Sequence, residues 1–156
     1  MSGLQLNDVY LARQRIASLV RATPMEHSPS LSRHMGVPVY LKLESQQITG
    51  SFKLRGASNA IAQLDATARQ KGVVAASTGN HGRALAHAAA QSGVKATVCL
   101  SALVPQNKVQ AIRDLGAEVC IVGLSQDDAQ HEAERISAEQ GATLLPPFDH
   151  PAIIAG

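Results

Sequence analysis

Aromatic side chains are scarce in this sequence: Tyr10, Tyr40, Phe52 and Phe148 are all it has. So small a set cannot build the stacking platforms on which single-stranded nucleic acids are held. A surplus of charge is lacking too. The 14 lysines and arginines are interspersed with 12 acids, for a net charge of +2. No basic stripe emerges for a phosphate backbone or a membrane surface, so neither nucleic acid nor membrane is expected as a partner. No uninterrupted apolar run is long enough to span a bilayer. The opening MSGLQLNDVYLARQR lacks the basic start and apolar stretch of a secretory signal. Only two cysteines occur, Cys99 and Cys120, each inside an apolar, β-branched segment. They are expected as buried packing thiols rather than a disulfide or metal pair, which suits a cytoplasmic location. The six histidines form no H-x-x-x-H or H-E-x-x-H set, so no metal site is expected.

What is present is a regular alternation. Strands are expected at Val73–Ala76, Ala96–Leu100, Glu118–Val122 and Ala142–Leu145. Helices are expected between them, near His81–Ser92, Pro105–Leu115 and Gln126–Gln140. Gly93, Gly116 and Gly141 sit where a left-handed residue closes a helix. This repetition predicts an α/β fold, an open parallel sheet of about four strands with flanking helices and right-handed crossovers. Before it, Asn7 is expected to cap a helix running to about Val20. Thr23 to Gly36 reads as a loop with a short helix. The alternation of Val39, Leu41 and Leu43 with Tyr40, Lys42 and Glu44 gives a half-buried strand. A loop from Ser45 to Gly50 then leads to a helix over about Ser51–Leu64. The first 70 residues are thin for a core of their own, and the end, Ala152-Ile-Ile-Ala-Gly156, is apolar. A larger partner domain is expected beyond it.

Two stretches can carry chemistry. Lys53 falls in the first turn of its helix, where unsatisfied N–H groups create a partly positive field. That field favours a neutral amine, the form a carbonyl-bonding lysine needs. Gly50 permits a sharp turn before the helix, and Phe52 offers a ring for a flat cofactor. Read alone, the stretch favours a solvated lysine at a helix start. The second stretch, Ser77-Thr78-Gly79-Asn80-His81-Gly82, joins a strand to a helix. Its small residues can expose several N–H groups to a carboxylate or phosphate, and the Asn80 amide can donate to a phenolate-like oxygen. A Ser/Thr-capped helix entry is an equal reading. Gly79-x-x-Gly82 lacks the G-x-G-x-x-G spacing of a dinucleotide loop. Lys108, Arg113 and Glu118 fit a solvated helix face and strand edge.

Taken together, Lys42-Leu-Glu44 followed by Thr49-Gly-Ser-Phe-Lys53-x-Arg55-Gly-Ala57 resembles the cofactor-lysine motif of fold-type II pyridoxal-phosphate (PLP) enzymes, the serine/threonine dehydratases and serine racemases. Ser77-Thr-Gly-Asn-His81-Gly resembles their second signature. Val104-Pro-x-x-Lys108 and Gly116-Ala-Glu-Val119 are similar as well, so the resemblance covers essentially the whole chain. Ser77 to Arg83, Ser125 to Ala129 and Pro147 to Pro151 resemble the hydroxyectoine-utilisation dehydratase branch.

The resemblance implies a cofactor, pyridoxal 5′-phosphate, and a division of the chain. Residues 1–70 would belong to the large lobe, 71–147 would form the small lobe, and 148–156 would begin the return to an incomplete large lobe. Lys53 would hold the cofactor and move the substrate's α-proton. Phe52 would lie against the cofactor and Asn80 would bond its 3′-oxygen. Ser77, Thr78, Gly79, Asn80 and His81 would hold the carboxylate of an amino-acid substrate. Thr78 would face the cofactor from the side opposite Lys53, leaving racemisation or β-replacement open beside ammonia-lyase chemistry; a non-catalytic α/β fragment is the further alternative. The phosphate loop and the group facing the pyridine nitrogen would lie in a second half. The 156 residues alone are therefore expected to turn over little or no substrate, and the full-length protein to be a homo-oligomer.

Overall fold

The structure is a computed structural model that describes residues 3–77 and 79–156. Its first helix, α1 (Leu6–Ile16), begins one residue before Asn7. The Asp8 carboxylate accepts from the Gln5 N–H at 2.8 Å, so the cap is built around Gln5 rather than Asn7. The helix also stops short of Val20. The Arg21 N–H is taken instead by the Gln47 side chain at 2.8 Å, which draws the chain away from the helix axis.

Next come β1 (Met25–His27), α2 (Pro29–Met35) and β2 (Tyr40–Lys42). The two strands pair antiparallel, with Glu26 opposite Leu41. The short helix is set by Ser28 as N-cap, Pro29 in the first turn and Gly36 at φ 71° as the closing residue. β1 was not legible in the sequence, and β2 is not half-buried as its alternation implies. Both strands are exposed along their whole length.

A 3-10 turn (Glu44–Gln46) leads to α3 (Lys53–Ala62) and then to α4 (Ala66–Lys71). α4 lies beyond the expected helices. Its cap is Asp65, which accepts from the Ala68 N–H at 2.8 Å. The regular part follows: β3 (Val73–Ala76), α5 (Asn80–Gln91), β4 (Ala96–Leu100), α6 (Gln106–Arg113), β5 (Glu118–Ile121), α7 (Gln126–Gln140), β6 (Thr143–Leu144) and α8 (Pro151–Ala155). β3 to β6 form the expected parallel sheet, in the order β5-β4-β3-β6.

Alternation along the strands sorts their side chains to the two faces. Val73, Ala75, Val98 and Leu100 share a cluster with Leu54, Ala57 and Ile61 of α3, Leu85 of α5 and Ile112 of α6. Val74, Ala76 and Cys99 meet Ala129, Ala133 and Ile136 of α7. A parallel sheet covered on both sides reads as apolar runs, which is why these strands were legible. α3 buries its apolar face in the same cluster as β3 and α5. Cys99 and Cys120 stand in register on β4 and β5 and are free. Burial pushes the Cys99 thiol up to about 12, which keeps it protonated and inert.

α5 can approach the sheet only because it is small on that side. A Cβ on Gly82 would lie 2.8 Å from the Ser77 carbonyl oxygen and 3.1 Å from Val98 Cγ1. The first of these atoms is backbone and cannot rotate away. Gly82→Ala gains ~1 kcal/mol of helix propensity, whereas overpacking costs about 1–3 kcal/mol. The substitution is therefore expected to lower the urea midpoint of the folded chain, and an unchanged or raised midpoint would show that the helix shifts freely.

Candidate active site

In an open parallel sheet the strands' carboxyl ends gather their turns along one edge, where ligands bind. Here that edge carries Ser77 after β3, Ser101 after β4, Gln126 at the start of α7 and the Leu145–Phe148 segment after β6. These turns, with Lys53 at the start of α3, enclose a cleft of ≈480 Å³ whose walls include Ser77, Asn80, His81, Ser101, Pro147 and Phe148.

Lys53 is the first helical residue of α3. Its Nζ donates to the Pro147 carbonyl at 2.7 Å and lies 4.7 Å from the Phe148 ring centroid and 5.0 Å from that of Phe52, within cation–π range. Among the described residues it belongs to no ion pair. The structure thus brings Lys53 together with Ser77, Asn80 and His81. Phe52 flanks the amine but faces a neighbouring hollow of ≈340 Å³. Gly79 lines a smaller hollow of ≈130 Å³ on the far side of Asn80. Thr78 lies outside the described residues.

The turn residues are held in different ways. Ser77 is buried, and its Oγ accepts from the Gly82 N–H at 2.9 Å and, more weakly, from the Gly79 N–H at 3.4 Å. Its side chain therefore closes the turn on itself. Asn80 is exposed at the start of α5 and lines the cleft. His81 is 3% exposed, and its Nε2 lies 2.8 Å from the Leu145 carbonyl. A carbonyl only accepts, so the ring carries its proton on Nε2, and Nδ1 is left as a buried acceptor with no partner. Burial lowers the pKa of His81. The Leu145 hydrogen bond opposes that shift, and the nearby Lys53 charge adds to it. Lys53 and His81 thereby both tether the segment that follows β6.

Three wall residues, Ser101, Gln126 and Phe148, were not singled out in the sequence. Ser101 carried one local signal, a polar residue directly after an apolar strand. Phe148 carried only its rarity, as one of four aromatics in the chain.

A flat, aldehyde-bearing cofactor needs an amine outside any ion pair, an apolar wall and hydrogen-bond donors for its oxygens. The cleft offers Lys53, the Phe148 ring, and the Asn80 amide with the Ser101 hydroxyl, and no carboxylate lines it. The residues present fit such a group.

A neutral, buried His81 leaves a mark on stability. Its folded-state pKa lies below the ordinary 6.5, so the unfolded chain binds more protons as the pH falls below that value. The stabilising contribution is full above 6.5 and is lost between there and the folded value. In urea titrations the wild-type midpoint is expected to fall on acidification through this window. That of His81→Gln, whose amide can still donate to Leu145, should fall less, and equal slopes would contradict the assignment.

The family described as "Pyridoxal-phosphate dependent enzyme" matches residues 16–156. A putative threonine dehydratase of Sinorhizobium fredii is 59% identical over 156 residues, all of this chain and 47% of that one. The L-threonine ammonia-lyase of Thermotoga maritima is 41% identical over 98% of this chain and 38% of its own length. The crystal structure of serine racemase from Dictyostelium discoideum superposes with a TM-score of 0.91 at 35% identity, covering 98% of this chain and 50% of that one. The chain thus spans less than half the length of the two dehydratase relatives. With a cofactor-sized cleft around Lys53 and a family match over residues 16–156, the chain belongs to the pyridoxal-phosphate dependent enzymes.

Proposed function

We propose that this chain supplies the amine-bearing part of a PLP-dependent ammonia-lyase acting on a β-hydroxy amino acid such as serine or threonine. The net reaction gives a 2-oxo acid and ammonia, with water eliminated and then taken up again. The observation that carries this reading is the shared cleft: Lys53 and the turn residues Ser77, Asn80 and His81, 24 or more residues apart in sequence, line one cavity at the carboxyl ends of the sheet. The threonine dehydratase and ammonia-lyase names of two relatives support the substrate class.

Bound pyridoxal phosphate supplies an electron sink for bond breaking at the substrate's α-carbon. The rest falls to the chain. Lys53 would hold the cofactor through its amine and, once that amine is freed by the substrate's own, would take the α-proton as general base. The Asn80 amide would hold the cofactor's 3′-oxygen, and the Phe148 and Phe52 rings give the amine an apolar flank. N–H groups of the turn from Ser77 to His81, with Thr78 among its residues, hold the substrate carboxylate at the partly positive end of α5. The Pro147 carbonyl gives Nζ a resting place when no cofactor is bound.

In this reading residues 71–147 form a small lobe, while 1–70 and 148–156 belong with a larger one. The full-length enzyme is a cytoplasmic homo-oligomer. Among the described residues no helix is long and apolar enough to cross a membrane.

The test is a visible absorption spectrum of the full-length protein with cofactor, before and after Lys53→Ala. The variant is expected to lose the bound-cofactor band, and retention of that band would remove Lys53 from the site. Incubation with L-serine, L-threonine and 3-hydroxyaspartate should release 2-oxo acid. D-enantiomer accumulation in its place would favour a racemase. The 156-residue chain alone is expected to release little or none, and sustained turnover by it would show that no further segment is needed.

A further inference from the structure

The first turn of α3 has no side-chain cap of its own. Phe52, the residue before Lys53, offers no hydrogen-bonding group. Gly50 turns the preceding chain at φ 77° with nothing packed around it. The Lys53 N–H has only a weak local tie, to Ser51 Oγ at 3.4 Å, so the backbone that aims Lys53 is held chiefly from outside the helix.

The holding groups lie in two segments. Arg55, two residues after Lys53, forms a two-pronged pair with Glu44: Nε donates to Oε2 at 3.0 Å and Nη2 to Oε1 at 2.7 Å. Its Nη2 also reaches the Arg21 carbonyl at 3.3 Å. The Thr23 hydroxyl donates to Glu44 Oε1 at 2.5 Å, and Lys42 Nζ donates to the Thr23 carbonyl at 2.5 Å. Gln47, 3% exposed, ties its side chain to both the N–H and the carbonyl of Arg21, at 2.8 and 2.9 Å. The pair itself is partly covered, with 25% and 17% of the two side chains exposed. A fork-to-fork contact of this kind fixes orientation as well as distance.

We propose that Glu44 and Arg55 are positioning residues for Lys53. They lock the start of α3 against the 21–23 and 44–47 segments and so aim Nζ into the cleft. Neither lines the cleft that holds Ser77, Asn80 and His81, although Arg55 borders the neighbouring hollow beside Phe52. The inference rests on the reading of Lys53 as the cofactor-holding amine. It also gives a physical reason for the two halves of the first motif, Lys42-Leu-Glu44 and Lys53-x-Arg55, to occur together.

The test uses this 156-residue chain without cofactor. Lys53 Nζ sits over two aromatic rings, so its ε-methylene protons should resonate upfield through ring currents. The signal is assigned by its absence in Lys53→Arg. In Glu44→Gln, and in Arg55→Lys, which keeps the charge but loses the fork, the upfield displacement is expected to collapse. Hydrogen-exchange protection of the Gly50 and Arg55 amides should be lost as well, while the amides of β3 and β4 stay protected. A pair that merely stabilised the fold would lower the thermal midpoint yet leave the displacement intact in the folded protein, and that outcome overturns the proposal.

Should Glu44→Gln not fold, the wild-type chain supplies the measurement. The Arg55 side chain chiefly holds the Glu44 carboxyl below its ordinary range, burial opposing and Thr23 and Gln47 assisting. The other cations nearby are Lys42, reached through the Thr23 carbonyl, and Arg21, whose Nη1 donates to the Gln46 carbonyl at 2.8 Å. The displacement should persist down through the ordinary carboxylate range and vanish below it, ahead of global unfolding. If it survives until the sheet melts, the pair does not aim Lys53. The spectrum of Lys53→Ala tests the cofactor reading separately, so either idea can fail while the other stands.

Discussion

Burial of β3 on both faces is the constraint from which the cleft follows. Val73 and Ala75 pack beneath α3 and α5, while Val74 and Ala76 pack over α7, and all four are at most 3% exposed. A strand so enclosed cannot slip by one residue, because each side chain would then meet the wrong layer. Its carboxyl end is fixed with it, and Ser77 begins there. The start of the turn into α5 is therefore set by the core, and the Ser77 hydroxyl then closes it.

The same packing brings distant segments to that turn. α3 lies against α5 in the first layer, which carries Lys53 to the edge of β3. β6 pairs with β3 from the other side, Val73 opposite Thr143, and delivers Leu145 and Pro147 within reach of His81 and Lys53. Magnitudes favour this account over one built on charge. Each buried Val or Leu is worth about 1.5–3 kcal/mol. The Lys95–Glu118 pair, with 62% and 64% of its side chains exposed, belongs to a class worth about 0–1 kcal/mol. Surface ion pairs decorate the sheet and the two apolar layers hold it.

The cleft mixes two kinds of polar group. Ser77 and His81 are bonded to the backbone of the fold. Lys53 and Asn80 stand at the surface of the cleft with little demanded of them by the fold. That division is the one expected of a site grafted on a scaffold. Buried groups are paired because an unpaired one is costly, whereas groups meant for a ligand keep capacity in reserve.

Local chemistry wrote the periodic half of the molecule plainly. α7 runs from its Ser125 cap to Gly141 at φ 71°, as the residues imply, and β3 and β4 follow their apolar runs. The placement of Lys53 at a helix start was equally legible. These features depend on neighbours within a few residues, and a linear string records such neighbours. The exposed β1–β2 pair, the Pro147 carbonyl on Lys53, Ser101 in the cleft wall and the grip of Arg55 on Glu44 depend on segments 11 to 94 residues apart. Only the closing of the sheet between its two apolar layers decided those, since side-chain period says which face a residue takes and nothing about which distant segment will meet it there.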